Sequence, residues 1–171
     1  MLQERYRELI IVHMATDLDE IDWKILRILQ GNAAIPNTEL ADEIGLSPAP
    51  CLRRVKRLRE LGVIKRSTVE LDYEKLGYTL SAFVEVTLAE HTEKAARAFI
   101  RAVQTSHHVL ACHMVTGDYD FILRIMAPDI ASYRKLVWEE LHAIKGVQKM
   151  RSSVVLETMK DQLGPDLYKI W

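Results

Sequence analysis

The densest chemistry in this sequence is a run of cations. Between Cys51 and Arg66 stand seven Lys or Arg residues against one acid, Glu60. That surplus of six positive charges belongs to a chain whose formal net charge is only -1, so the positive field is concentrated on one element. Such concentration is what a phosphate backbone selects for. Arg53, Arg54, Lys56 and Arg57 fall within five residues and are the candidate phosphate and base contacts. The remaining reactive side chains argue against catalysis. Cys112 and His113 are adjacent, but neighbours on a strand face opposite ways and cannot form a hydrogen-bonded nucleophile and base. The six histidines show neither HxxxH nor HExxH spacing, and Cys51 and Cys112 make no CxxC pair. No Walker or Rossmann glycine loop is present. These patterns predict a protein that is not an enzyme and uses no metal or cofactor.

The cations need an element to display them, and the flanking sequence supplies one. Leu18, Ile21, Ile25, Ile28 and Leu29 follow helical spacing, with Asp17 or Asp19 as the N-cap and Gly31-Asn32 as the stop. Pro36 and Asn37 open a second helix, Thr38 to Ile44, that buries Leu40, Ala41 and Ile44; Gly45 then supplies a left-handed turn. Ser47 and Pro48 start a third helix, running to about Glu60, in which the Ser47 hydroxyl is expected to accept a backbone N–H. Cys51, Leu52, Val55 and Leu58 are expected inside and the cations outside. Two helices joined by a short glycine turn make a helix-turn-helix. After Gly62, the alternation of Val63 to Leu71 predicts a short strand or wing.

A different period follows the connector Asp72 to Gly77. Leu80, Ala82, Val84, Val86 and Leu88 share one face of a strand that begins near Tyr78. His91 to Gln104 returns to helical spacing. Val109 to Thr116 and Tyr119 to Met126 read as strands joined by a two-residue Gly117-Asp118 turn of type II′. A helix from Ile130 to Leu141, with Ile130, Tyr133, Leu136, Val137 and Leu141 inward, and a strand from Val147 to Leu156 complete the set. Strand, helix, strand, strand, helix, strand is the ferredoxin-like split plan, giving an α+β protein with an N-terminal winged helix-turn-helix domain. Helices cover one face of such a sheet. The other, with Phe83 among small polar and aliphatic residues, is economically covered by a second copy.

The expected boundaries are therefore an extension over 1–16, a DNA-binding domain over 17–71, a linker over 72–77, and a second domain with its tail over 78–171. Met1 to Thr16 reads as two or three turns of marginal helix and, with Glu4 and Glu8 among its basic residues, not as a secretory signal. No apolar run approaches the ~20 residues that span a bilayer, so no membrane partner and a cytoplasmic location are expected.

The motifs DEIDWKILRILQ, NTELADEIGLSPAPCLRRVKRLRELGVIKR, LDYEKLGY, AFVEVTL, CHMVTGDYDFILRI and GVQKMRSSVVLETMK are similar to those of the leucine-responsive/asparagine-operon (Lrp/AsnC) family of transcription regulators. They cover roughly Asp17 to Lys160. The resemblance implies sequence-specific binding to double-stranded DNA, a second domain that senses a small molecule and dimerises through its sheets, and dimers that assemble into a disc of eight. It also places the ordinary start near Met14, which makes residues 1 to 13 an extension.

On that resemblance, Ser47 and Pro48 bring the start of the third helix against the duplex, beside Arg53, Arg54, Lys56 and Arg57. The effector pocket is implied around the hairpin from Met114 to Asp120, where Gly117, Asp118, Tyr119 and Asp120 lie, with His142, Ser152 and Ser153 as further contributors. Backbone N–H groups of the turn would meet a carboxylate, and Asp118 or Asp120 an ammonium group, the pairing an α-amino acid needs. An apolar amino acid such as leucine is the expected effector. The alternative is an architectural DNA-compacting protein that uses the same helix and oligomer without a ligand.

Overall fold

A computed structural model of the chain describes residues 18–162 and 164–167. The helix expected in Met1 to Thr16, and Asp17 as a cap, lie outside the described residues. The chain forms two compact units, one holding the helices up to Glu70 together with the tail from Gln162, the other spanning Leu71–Asp161.

In the first unit, helix α1 (Glu20–Gly31) begins at a capping box in which Asp19 accepts from Asp22 N at 2.8 Å and Asp22 accepts from Asp19 N at 3.4 Å. Helix α2 (Asn37–Ile44) ends at Gly45, whose φ of 72° is the left-handed conformation read from the sequence. Helix α3 (Pro48–Glu60) has proline in its first turn, where a missing N–H costs nothing. Ile25, Leu40, Ala41, Ile44, Cys51, Val55 and Leu58 close on one another as the core.

Two expectations for this unit need correction. Leu52 is 56% exposed rather than buried, because it lies about 100° around the helix from Cys51 and off the 51-55-58 stripe. Val63 to Leu71 forms no strand, since the described part of this chain offers it no neighbouring strand; only its start is fastened, with Ile64 N donating to Leu58 O at 3.1 Å. The described tail touches this unit as well: the Gln30 side-chain amide donates to Pro165 O at 2.8 Å and accepts from Leu167 N at 3.5 Å.

The second unit holds β1 (Leu80–Leu88), α4 (Glu93–Gln104), β2 (Val109–Met114), β3 (Phe121–Ala127), α5 (Ile130–Lys135) continuing as a π-helical segment (Leu136–Leu141), and β4 (Val147–Val154). The strands lie in the order β2-β3-β1-β4, all antiparallel, which is the ferredoxin-like arrangement. Leu80, Ala82, Val84, Val86 and Leu88 face the helices and meet Phe99, Phe121, Leu123, Ile125, Leu136 and Leu141 in one core. Phe99 and Phe121 pack with centroids 4.8 Å apart. Thr92 and Asp129 cap the two helices through bonds to Ala95 N and Ser132 N.

Here too the structure differs in detail. The β2–β3 connection is not a two-residue turn: Val115 N donates to Asp120 O at 3.0 Å, leaving four residues, Thr116 to Tyr119, in the loop. Gly117 within it still has a positive φ, 125°. Ile130 is 64% exposed, because it stands at the first position of its helix and lines a surface groove. The π-helical segment is wound more loosely than an α-helix, with His142 N donating to Val137 O, five residues back. That winding buries both Leu136 and Leu141 and leaves Val137 at the edge.

Candidate functional site

Helix α3 presents Pro48, Arg53 and Lys56 to solvent, with Ser47 exposed just ahead of it. Ser47 has the extended backbone of an N-cap, φ -74° and ψ 157°, but its hydroxyl makes no cap bond; Asn37 Nδ2 instead crosses from α2 to Pro48 O at 2.8 Å. The hydroxyl expected to cap the helix is thus not spent on it. Lys56 stands 3.8 Å from Glu60, one turn on, with both side chains well exposed.

Arg54 and Arg57 are placed differently. Arg54 Nη1 donates to Asp19 Oδ2 at 2.7 Å and to Asp22 Oδ1 at 2.9 Å, while Arg57 Nη1 donates to Asp22 Oδ2 at 2.9 Å. The Asp22 side chain is 1% exposed, and Asp22 is the one buried charged residue among those described. A buried carboxylate is tolerated only when paired and hydrogen-bonded, which two guanidinium groups accomplish here. The Asp22 N–H and the Arg54 guanidinium hold the Asp19 carboxyl below its ordinary value, and the carboxylates of Asp19 and Asp22 hold Arg54 more firmly protonated. Asp22 escapes a reading of sequence because an acid near a helix start already has a role as a cap. The signal that finds it is the match of spacings: acids at 19 and 22 against arginines at 54 and 57, each pair one turn apart on helices that pack together.

The residues expected around the hairpin do not form one site within this chain. Met114 and Asp120 line a depression of about 700 Å³ with Leu88, His91, Ile100 and Phe121. Asp118 and Tyr119 line another with Glu85, Lys149 and Arg151, and Gly117 stands in the loop between the two. His142 and Ser152 share a groove of about 400 Å³ with Ile130, Tyr133, Arg134, Val137, Trp138 and Met150. Ser153 lies on the opposite face of β4, paired with Phe83. Asp120 is already engaged: Oδ2 accepts from Leu88 N at 2.7 Å and Oδ1 meets His91 Nδ1 at 3.0 Å, so its carboxylate closes the end of β1.

The groove beside α5 adds Trp138 and Tyr133, neither of which is among the effector contacts expected from sequence. Trp138 is 65% exposed and stacks on His142 at 5.4 Å with an interplanar angle of 11°. Tyr133 is 6% exposed and its hydroxyl has no hydrogen-bond partner among the described residues. An unpaired buried hydroxyl carries a desolvation cost of about 1–3 kcal/mol, which a ligand acceptor relieves. Among the described residues no group of three or more His, Cys, Asp or Glu side chains is placed to hold a metal ion. No helix among them is long and apolar enough to cross a membrane.

Comparison with known proteins agrees with this architecture. A profile described as a winged helix-turn-helix DNA-binding domain matches residues 18–65, and one described as the Lrp/AsnC ligand binding domain matches residues 81–165. The leucine-responsive regulatory proteins of Escherichia coli K12 and Salmonella typhimurium are each 42% identical over 144 residues, covering 84% of this chain and 88% of theirs. A transcriptional regulator from Neisseria meningitidis, solved in complex with L-Met, superimposes with a TM-score of 0.81 at 34% identity, covering 85% of this chain and 94% of that one. An AsnC family regulator from Agrobacterium tumefaciens gives 0.83 at 31% identity, covering 90% of this chain and 100% of that one. These relatives regulate transcription and are not enzymes. With a basic helix on a helix-turn-helix and a ferredoxin-like ligand-binding domain following it in sequence, the chain belongs to the Lrp/AsnC family of DNA-binding transcriptional regulators.

Proposed function

We propose that this regulator binds degenerate palindromic DNA as a sheet-paired homodimer and changes its DNA affinity or assembly in response to an apolar amino acid. The observation that carries the effector reading is the groove beside α5. It is apolar along Ile130, Val137 and Met150, offers Arg134 and His142 for a carboxylate, and holds the unpaired Tyr133 hydroxyl. That combination suits an apolar side chain carrying a charged head. The L-Met complex of the Neisseria relative supports the same ligand class. Hairpin residues Met114, Gly117, Asp118 and Tyr119 reach this groove only from another copy, so the complete site forms between neighbouring dimers, with an octamer as the assembled state.

The dimer reading rests on the sheet face turned away from the helices. There Phe83, 44% exposed, stands opposite Arg124 and Ser153, with Met126 and Ile122 beside Ser81 and Glu85. A second copy covers such a face with its own equivalent. For both copies of α3 to enter successive major-groove segments on one side of the duplex, a dimer has to present them about 34 Å apart, one turn of duplex. A single α3 binds weakly; two carried on one dimer gain from effective concentration. The fold and composition support action in the cytoplasm.

A thermal-shift screen of the common amino acids, followed by size measurement and mobility shift with each hit, tests the proposal. The expected result is an apolar amino acid that raises the melting temperature by mass action and alters assembly or DNA affinity, with the response weakened in His142→Ala and Tyr133→Phe. If no amino acid moves any of the three readouts, the sensing reading fails and an architectural role on DNA takes its place.

A further inference from the structure

Of the six residues expected to face DNA four are cations, and their ion pairs divide them into two pairs. We propose that Arg54 and Arg57 are positioning residues, locked with Asp22 to set the seat of α3, and that Arg53 and Lys56 supply the phosphate-neutralising charge. This division rests on α3 being the element that meets the duplex.

Two carboxylates, Asp19 and Asp22, face two guanidinium groups, Arg54 and Arg57, at 2.7 to 2.9 Å. The cluster carries no net charge. Counterion release on binding DNA comes from cations that neutralise phosphates, and a cation already matched by a carboxylate contributes little to it. Arg53 is exposed and has no ion pair among the described residues, and Lys56 meets Glu60 only at 3.8 Å with both side chains largely in solvent, at 76% and 66% exposure, where such a pair is screened and weak. These two remain available as charge.

The geometry of the cluster suits a positioning role. Arg54 and Arg57 stand one turn apart on α3 and grip opposite oxygens of one carboxylate on α1, which fixes both the rotation of α3 about its axis and its height along α1. A point contact leaves one of these loose. Asp22 is in turn oriented by its reach back to Asp19 N, so the start of α1 and the middle of α3 form one rigid piece. Base readout depends on placing side chains to within a fraction of an ångström, so loosening this piece costs discrimination before it costs attraction.

The test uses the full chain, a duplex it selects from a random-sequence pool, and a random duplex of the same length, each titrated across a salt series. Arg53→Ala and Lys56→Ala are expected to lower the slope of log affinity against log salt by about one each on both duplexes, with the melting temperature unchanged. Asp22→Asn and Arg54→Lys are expected to reduce the ratio of selected to random binding at least tenfold. Measured well below their melting temperatures, they should do so without lowering the slope. A purely structural role for Asp22 predicts an unchanged ratio in the folded population and overturns the positioning claim. If Arg54→Ala or Arg57→Ala melts like wild type and loses about one unit of slope, those residues are phosphate contacts and the division is wrong, although DNA binding stands. If the wild-type chain binds no duplex with a salt-dependent affinity, the role of α3 itself fails.

Discussion

Replacing Asp120 by alanine separates a structural role from a ligand role at the one acid where the two compete. The carboxylate accepts the Leu88 N–H at 2.7 Å, and Leu88 is 2% exposed, so the bond is charge-assisted at a buried strand end. Such a bond contributes about 1.5–3 kcal/mol. The His91 ring is 71% exposed, and its pairing with Asp120 adds less than about 1 kcal/mol. Asp120→Ala therefore loses about 2–3 kcal/mol. For a unit the size of the sheet domain, 1 kcal/mol moves the melting temperature by about 4–8 °C, so a fall of roughly 8–24 °C is expected. Asp120→Asn keeps an acceptor for Leu88 N but gives up the charge, and about half that fall is expected. Thermal unfolding followed by circular dichroism measures both. Because each carboxylate oxygen is already engaged, the asparagine variant should still respond to effector. An alanine variant that melts within a degree of wild type refutes the structural role, and an asparagine variant with wild-type melting but no effector response makes Asp120 a ligand contact.

The other predictions probe the helical unit. Leu52→Ser should change stability by less than about 0.5 kcal/mol in urea unfolding, while Leu58→Ala, at a fully buried position, should cost about 2–5 kcal/mol. Gly45→Ala should cost about 1–2 kcal/mol through its φ of 72° alone, because an added Cβ meets nothing within 4 Å. Asp19, held below its ordinary value of 3.8 chiefly by the Asp22 N–H, contributes stability that is complete above that value and lost as pH falls through its lower folded value. Melting temperatures at pH 5 and pH 3 should therefore differ, and Asp19→Asn should reduce the difference.

The elements were legible because each is written twice, once in period and once in punctuation. Helix α2 has Leu40, Ala41 and Ile44 on one side and Gly45 at its end; β1 alternates without a break from Leu80 to Leu88. What escaped the sequence depends on a neighbour. Arg54 looks like any exposed cation until Asp22 is brought against it, and Leu52 looks like a core leucine until the packing of Cys51 and Leu58 fixes the angle of the helix. The π-helical winding from Leu136 to Leu141 puts two buried leucines five residues apart, a spacing that α-helical periodicity does not contain. The effector residues were legible as a neighbourhood and not as a site, since Ser152 and Ser153 are adjacent in sequence yet face opposite sides of β4.

The Gln30 amide, which holds the tail to α1, spans 135 residues of sequence. Along the chain the sheet unit is an insert, entered after Glu70 and left after Asp161, and the helical unit is made from both flanks. During synthesis Gln30 leaves the ribosome long before Pro165, and the whole sheet unit emerges between them. The contact between Gln30 and Pro165 is thus among the last that the chain can make. A fragment cut at Glu70 would carry α1, α2 and α3 and leave the Gln30 amide without its two tail partners.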